Sequence, residues 1–577
     1  MIKVPYGISN FEILRKGNYY FVDRTDFIAK LEDLPTLYHF FLRPRRFGKS
    51  LWLSILEYYY DVCKADQFVE LFGALKIGQN PTAQANQYLV LSFDFSGIDT
   101  STQAQAQHGF LVKVRTGIKQ LLHKYPERFD AVDLKKIDEA QSPEEALLNW
   151  HETWISKAKG AKVFVLIDEY DHFTNRILIY NREHFRQVVG REGYYRSFFE
   201  VLKTATQQGI VERIFVTGVT PVTLDSLTSG FNIGHNLTLD LSWHNLLGFN
   251  EQEVTTLLNG AGIPPLELPS TLADLRDWYN GYQFHQHAAS RLYNPDMLLY
   301  FVREFQMQKA YPSTMLDVNI SSDYSRISQT LTLGDYDKNT ALLQELIDEK
   351  VVKGGLTVQF SLEKDWTHDD MLSLLFYNGL ITIEAEQLGE YVFKIPNQVI
   401  RELYFGMFKD LILKQAQLFD DQIDLHGKMV QLAMHKSPRA FFDQVSQVLA
   451  SLDNRDYRKL DEKHVKSIIV ALLHTSNVYF VRSEYPVGNG YVDLLLLNRN
   501  KTKVAYQFAF ELKYLKKTDS SRAPKVLQAA KEQLQTYLKH PDLQQAVGQY
   551  TPLSAWVVVL IGTECYALEE VGSLDVS

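Results

Sequence analysis

Five short apolar runs punctuate the first part of the chain: Leu37–Leu42, Tyr88–Phe95, Val163–Ile167, Ile214–Thr217 and Leu237–Leu241. Each has the length of a strand, and a run apolar at nearly every position predicts a strand buried on both faces. Between them, Leu51–Tyr60, 103–124 and 144–158 carry helical spacing. Strand and helix in alternation predict a parallel, doubly wound α/β sheet over residues 1–246. From 247 the pattern changes. Asn250 is placed to cap a helix with Val254, Leu257 and Leu258 on its apolar face. Residues 247–459 read as a mostly helical lid or linker, with one short strand pair near Leu380–Ile383 and Tyr391–Ile395. A third pattern begins at 460: a helix over 461–474, runs at Val478–Tyr485, Tyr491–Leu497 and Val504–Leu512, a helix over 524–539, and a run at Ala555–Ile561. This αβββαβ order predicts a separate α/β domain over 460–577.

Composition sharpens this picture in three places. A chain of 577 residues is too long for one hydrophobic core, so several domains are expected. The net charge of −9 means that nucleic acid would have to be met by a local basic surface or a metal-filled cleft. Two cysteines, Cys63 and Cys565, leave room for one bridge but no disulfide scaffold, and fit a reducing compartment. Met1–Gly7 lacks the apolar core of a signal peptide, and no apolar run approaches the roughly 20 residues that span a bilayer. A cytoplasmic location without membrane partners is expected.

Candidate chemistry appears at the ends of the predicted strands. After Leu42 the chain reads Arg43-Pro44-Arg45-Arg46-Phe47-Gly48-Lys49-Ser50 and then enters a helix. A phosphate-binding loop needs this order: backbone N–H groups to wrap phosphate oxygens, a lysine for the β/γ-phosphates, and a hydroxyl for Mg²⁺ at a helix N-terminus. The first glycine of the usual pattern is replaced by Arg43, and Gly-Lys-Ser alone also suits a surface loop. The second element decides it. Lys162–Ile167 is an apolar strand ending in Asp168-Glu169, where Asp168 would hold Mg²⁺ through water and Glu169 would polarise an attacking water. A later strand ends in Thr217, whose hydroxyl is placed to sense the γ-phosphate, although threonine is also simply a good strand residue.

These segments resemble a bacterial AAA-ATPase-like family. The resemblance rests on Pro5-Tyr6-Gly7-Ile8, Tyr20-Phe21-Val22-Asp23-Arg24-Thr25, Arg43–Ser50, Asp168-Glu169-Tyr170-Asp171, Thr217–Pro221, Trp278-Tyr279-Asn280-Gly281-Tyr282 and Tyr293-Asn294-Pro295. It spans about residues 1–300 and implies that Arg43 is a feature of the family's own phosphate loop. Arg45 and Arg46 would touch phosphates or pair with the acidic N-terminal segment. ATP and Mg²⁺ are the implied cofactors.

The C-terminal pattern carries a second constellation. Residues i and i+2 of a strand share a face, so Glu511 and Lys513 project together at the end of Val504–Lys513. Asp493 stands at the start of the preceding strand. An aspartate on one strand and Glu-x-Lys on the next is how PD-(D/E)XK nucleases bind Mg²⁺ through two carboxylates and orient water with a lysine. A lone Glu-Leu-Lys also decorates many exposed strands; the paired arrangement is what makes it informative. Residues 460–565 resemble the nuclease-like domain that commonly follows this ATPase. That resemblance implies further site roles for Glu462, Glu484 and Gln533 and a restriction-endonuclease-like fold. Lys513, Lys516, Lys517, Arg522 and Lys525 form either a phosphate track or a solvated loop. Tyr377–Leu380 and Lys394–Asn397 resemble the family's joining segment.

The expected function is an ATP-binding, ATP-hydrolysing protein with a Mg²⁺-dependent nuclease acting on nucleic acid, DNA before RNA. By analogy alone, its setting is genome defence or mobile-element biology. The alternative is a nucleotide-dependent switch with a catalytically silent nuclease-like domain. The sequence leaves oligomerisation open.

Overall fold

A computed structural model describes residues 2–158, 160–190, 192–222, 231–317, 319–320, 329–331, 333–348, 351–360, 366–418, 424–453, 461–474, 478–498, 504–548 and 551–574. The chain divides into two compact units. The first contains Met1–Met307, Gln329–Asn339 and Val351–Gln398; the second contains Gln308–Ser328, Thr340–Lys350 and Val399–Ser577. The segment 247–459 is therefore shared between them, and the boundary expected at 459/460 lies outside the described residues.

The first unit is built on five parallel strands: β1 (Tyr38–Leu42), β2 (Leu89–Asp94), β3 (Val163–Asp168), β4 (Val211–Gly218) and β5 (His235–Asn236). Their order is β2-β3-β4-β1-β5. Val163 to Ile167 are all almost completely buried, which is why β3 is apolar at successive positions rather than alternating. Each such side chain contributes about 1.5–3 kcal/mol relative to exposure. Trp52, Tyr59 and Tyr60, from the helix Lys49–Tyr60, join Phe164 of β3 and Phe215 of β4 in one core. The sheet and its crossovers are the parallel α/β architecture that the alternating pattern predicts.

One strand differs from expectation. The run Leu237–Leu241 is not a strand; β5 precedes it and has two residues. Leu237 buries itself in the core, while Asp240 accepts a hydrogen bond from Ser242 N and caps a 3₁₀ turn over Leu241–Leu246. A capping side chain thus wins over apolar patterning.

Also in the first unit, β6 (Val351–Gly354), β7 (Thr382–Gln387) and β8 (Glu390–Lys394) form an antiparallel sheet in the order β6-β8-β7. Two motifs meet beside it. Gly281 has φ +113°, and a Cβ there would lie 2.0 Å from the Pro396 carbonyl oxygen, so the close approach admits only glycine. Asn397 Nδ2 donates to the Asn280 carbonyl at 3.0 Å. The Asn280-Gly281 and Pro396-Asn397 motifs are therefore a structural joint.

The second unit carries a mixed sheet of β9 (Tyr479–Val487), β10 (Gly490–Asn498), β11 (Gln507–Leu515), β12 (Leu553–Ile561) and β13 (Glu564–Leu574), ordered β13-β12-β11-β10-β9. The β11–β12 pair is parallel and is crossed by the helix Ala523–Leu538; the other pairs are antiparallel. The helix Glu462–Leu473 precedes β9 and packs on β11. This is the expected αβββαβ order with β13 added at the edge. Most of β13 is at least partly exposed, so it has too few apolar positions to register as a buried run. Among the described residues, no helix is long and apolar enough to cross a membrane.

Candidate functional site

In a parallel sheet the C-terminal strand ends open onto one crevice. Here β1 leads into residues 43–48, β3 ends in Asp168, and β4, which lies between them, presents Thr217. The geometry follows from that order. Thr217 Oγ1 donates to Asp168 Oδ1 at 2.7 Å. Burial and the neighbouring Glu169 carboxylate raise the Asp168 pKa, with Ser50 and Thr217 partly offsetting them.

Gly48, at φ +97°, turns the chain into the helix Lys49–Tyr60. Lys49 is buried; its Nζ donates to the Pro44 carbonyl at 3.2 Å and lies 4.0 Å from Glu169 Oε1. Glu169 itself has φ +51°, a conformation costly for a side-chain-bearing residue and one that recurs at functional sites. Burial would raise its pKa, but the His172 hydrogen bond and the fields of Lys49 and Arg45 prevail and hold it at about 2. His172 Nδ1 stands 3.3 Å from Glu169 Oε2. Arg46, at φ +64°, pairs with Asp296 at 3.2 Å, in the first turn of the helix Pro295–Gln308. Arg45 is half-buried.

Two residues near this crevice serve the frame. Arg43 is buried and donates to the carbonyls of Leu42, Thr238 and Trp243, with its guanidinium against the rings of Phe41 and Phe284. Burial lowers its pKa to about 9. It is a cross-link between the end of β1 and the turn after β5. Asp171, also buried, accepts from Val219 N, Thr220 N, the Thr220 hydroxyl and Asn175 Nδ2, tying the end of β3 to the end of β4.

A cavity of 390 Å³ continues from Gly48, Lys49, Ser50 and Glu169 to an apolar wall that includes Ile8, Phe21, Leu247 and Phe249. Its polar end and apolar end suit a phosphate chain and a flat ring system.

In the second unit the β10–β11 register pairs Leu494 with Phe510, which brings Asp493 and Glu511 to one end of the ladder. Asp493 Oδ2 accepts from Leu512 N at 2.8 Å, and Lys513 Nζ lies 2.7 Å from Glu511 Oε1 and 3.8 Å from Asp493 Oδ2. Glu511 is 1% exposed, and its Oε2 has no hydrogen-bond partner among the described residues. Burial first, and then Asp493, push its pKa up to about 7, against the pull of Lys513 and Lys466. An unpartnered buried carboxylate oxygen beside a second carboxylate fits a divalent cation, which would supply the missing partner. Among the described residues, however, no group of three His, Cys, Asp or Glu side chains is clustered for a metal. Two carboxylates form the core of this cluster.

Lys466 and His172 escaped the sequence reading. Lys466 Nζ contacts Asp493 Oδ1 at 2.6 Å and Glu462 Oε1 at 3.2 Å. The i, i+4 spacing of Glu462 and Lys466 was the available signal, since it puts both on one helix face. For His172, the signal was its position directly after Asp168–Asp171. Glu462 also accepts from Tyr514 N at 3.4 Å, so it borders the cluster. Gln533 hydrogen-bonds Tyr537, one turn along its own helix, at 3.0 Å rather than a site carboxylate. Glu484 has φ +50° and lies in the field of Arg401. Beyond Lys513, the basic residues Lys516, Lys517, Arg522 and Lys525 are exposed.

The predicted AAA-ATPase family matches residues 5–228, and the PD-(D/E)XK nuclease superfamily matches residues 460–570. The chain carries one domain of each family. An uncharacterised protein from the vnfD 5′ region of Azotobacter chroococcum mcd 1 is 30% identical over 329 residues, covering 55% of this chain and 56% of that protein. The chain thus spans little more than half the length of that relative. A Walker-type ATPase of Pyrococcus abyssi is similar at 12% identity and a TM-score of 0.38, over 66% of this chain and 94% of that one.

Within the AAA-ATPase domain, Arg43 yields a test. Arg43→Gly restores the consensus glycine but empties a buried site and strands three carbonyls. The expected result is a loss of about 3 kcal/mol or more in stability, without tighter ATP binding. Urea unfolding followed through the buried Trp52, Trp150, Trp154 and Trp243 measures it. Unchanged stability with improved ATP affinity would contradict the cross-linking role.

Proposed function

We propose that the first unit binds and hydrolyses ATP with Mg²⁺ and that the second cleaves nucleic acid, DNA before RNA, with a divalent ion. The observation that carries the nuclease half is the convergence of Asp493, Glu511 and Lys513 around a buried, unpartnered Glu511 oxygen.

In the ATPase half, Gly48 and the helix N-terminus turn backbone N–H groups toward the phosphates. Lys49 leaves the Pro44 carbonyl for the β/γ-phosphates and so releases Glu169. Ser50, whose hydroxyl favours the ionised form of Asp168, and Asp168 itself are the pair that would hold Mg²⁺. Glu169 stays ionised and orients the attacking water, while Thr217 links the Asp168 carboxylate to β4. The apolar wall of the cavity receives the base.

In the nuclease half, a cation held by Asp493 and Glu511 would neutralise charge that builds on the phosphate and acidify a bound water. Lys513, fixed against Glu511, orients that water toward phosphorus. The exposed lysines and Arg522 beyond it attract the backbone of the substrate.

A specific observation favours a second reading. Both site carboxylates are already paired with lysines, Asp493 with Lys466 and Glu511 with Lys513, so the cluster is nearly neutralised from within. A nucleotide-dependent clamp that holds nucleic acid without cutting it has the same geometry.

Two experiments test these assignments. Calorimetric titration is expected to show that Lys49→Ala weakens MgATP binding by about 100-fold. Glu169→Gln is expected to bind ATP normally and to slow hydrolysis by about 10²-fold. Wild-type affinity in Lys49→Ala would remove the phosphate-loop assignment. Separately, the full chain with Mg²⁺ or Mn²⁺ is expected to cut labelled DNA, and Asp493→Asn or Glu511→Gln to reduce cutting by about 10³-fold with unchanged thermal unfolding. Cleavage by Glu511→Gln at the wild-type rate would overturn the nuclease assignment. No cleavage by any form would favour the clamp.

A further inference from the structure

The nuclease cluster holds a charge that its proposed chemistry does not use. Lys466 projects from the helix Glu462–Leu473, one turn after Glu462 and on the same face. Its ammonium is the partner of Asp493 Oδ1 at 2.6 Å. The other oxygen of Asp493 is engaged by the backbone, accepting from Leu512 N at 2.8 Å. Both oxygens of this carboxylate are therefore committed.

Glu511 is arranged differently. Its Oε1 is paired with Lys513, while Oε2 is buried and has no hydrogen-bond partner among the described residues. A cation shared by the two side chains would find a vacant coordination direction at Glu511. At Asp493 it would find the Leu512 amide on one oxygen and an ammonium on the other. The amide belongs to the β11 backbone and is fixed. The ammonium is the tip of a flexible side chain whose second partner, Glu462 at 3.2 Å, is 42% exposed and so lies toward solvent. Lys466 is the contact that can yield.

We infer that Lys466 is an internal counter-ion on Asp493, and that a divalent cation enters the cluster by displacing this ammonium toward Glu462. This deepens the proposed nuclease reading and rests on it. Three carboxylates, Asp493, Glu511 and Glu462, here share two ammonium groups, Lys466 and Lys513. With Lys466 in place the cluster satisfies most of its charge before any metal arrives, which keeps two nearby carboxylates compatible with a folded β10–β11 ladder. The same contact lowers metal affinity, because the ion must break a short charge-assisted hydrogen bond to reach Asp493. Lys466 is thus a positioning and competing residue, distinct from Lys513, whose ammonium lies on the Glu511 side.

The test is calorimetric titration of the nucleotide-free full chain with Mn²⁺, taking as signal the binding that Glu511→Gln removes. Lys466→Met keeps the length of the side chain and deletes its charge. It is expected to tighten that binding by about tenfold or more, the scale of one unit charge within contact distance. Lys466→Arg keeps the charge and is expected to bind Mn²⁺ close to wild type. Thermal unfolding accompanies each variant, and Lys466→Gln replaces Lys466→Met if the latter does not fold. Equal affinity in wild type and Lys466→Met would overturn the competition and leave the metal site standing. Weaker binding in Lys466→Met would show that Lys466 supports the ligand set, and would overturn it as well. If no form shows Glu511-dependent Mn²⁺ binding, both the competition and the metal-site reading fall.

Discussion

Like charges held close together, at the end of β3 in one unit and beside the end of the β10–β11 ladder in the other, are the constraint on which both sites depend. Asp168 and Glu169 are neighbours in the chain; Asp493 and Glu511 are neighbours across a ladder. Two ionised carboxylates at such distances, withdrawn from water, repel strongly unless a cation or hydrogen-bond donors intervene. In each unit the chain provides for this. Ser50, Thr217 and Lys49 surround the first pair, with His172 on its outer side; Lys466, Lys513 and the Leu512 amide surround the second. The donors that stabilise the folded protein are those that a phosphate would have to win from the carboxylates, and those that a divalent ion would have to displace from them. Sites of this kind are stable when empty and still receptive, because each donor but the backbone amide belongs to a side chain that can move.

Much of this was legible in the sequence for a simple physical reason. A strand of a parallel sheet is buried on both faces, so β3 stands out as an unbroken apolar run, and the residues that follow it fall at the sheet's open edge. Glu511 and Lys513 were legible because alternation fixes their common face. What could not be read was pairing across distance. That Arg46 meets Asp296, or that Lys466 meets Asp493, depends on how helices dock, and neither has a local signature beyond i, i+4 spacing. The edge strand β13 was hidden by its exposure, and the turn at Leu241–Leu246 by a cap that overrode an apolar run.

Some motifs that look functional turn out to hold the frame. Arg43 stands where a phosphate loop usually has glycine, yet its guanidinium faces carbonyls and rings rather than the cavity that Lys49 and Ser50 line. Asp171, four atoms deep in hydrogen bonds, fixes the spacing of β3 and β4 and thereby the reach of Thr217 to Asp168. Gly281 permits a backbone contact that no side chain would tolerate. Motifs of the first unit therefore divide into those that line the crevice and those that hold the frame, and the two are told apart by what each side chain touches.

Asp493 and Glu511 are proposed to share a divalent cation once the Lys466 ammonium has moved aside. Anomalous scattering from Mn²⁺-soaked crystals tests it most directly. One Mn²⁺ peak beside the Asp493 and Glu511 carboxylates is expected, with Lys466 turned from Asp493 toward Glu462. Crystals saturated with Mn²⁺ that show no peak at this cluster, with Lys466 still on Asp493, would contradict it.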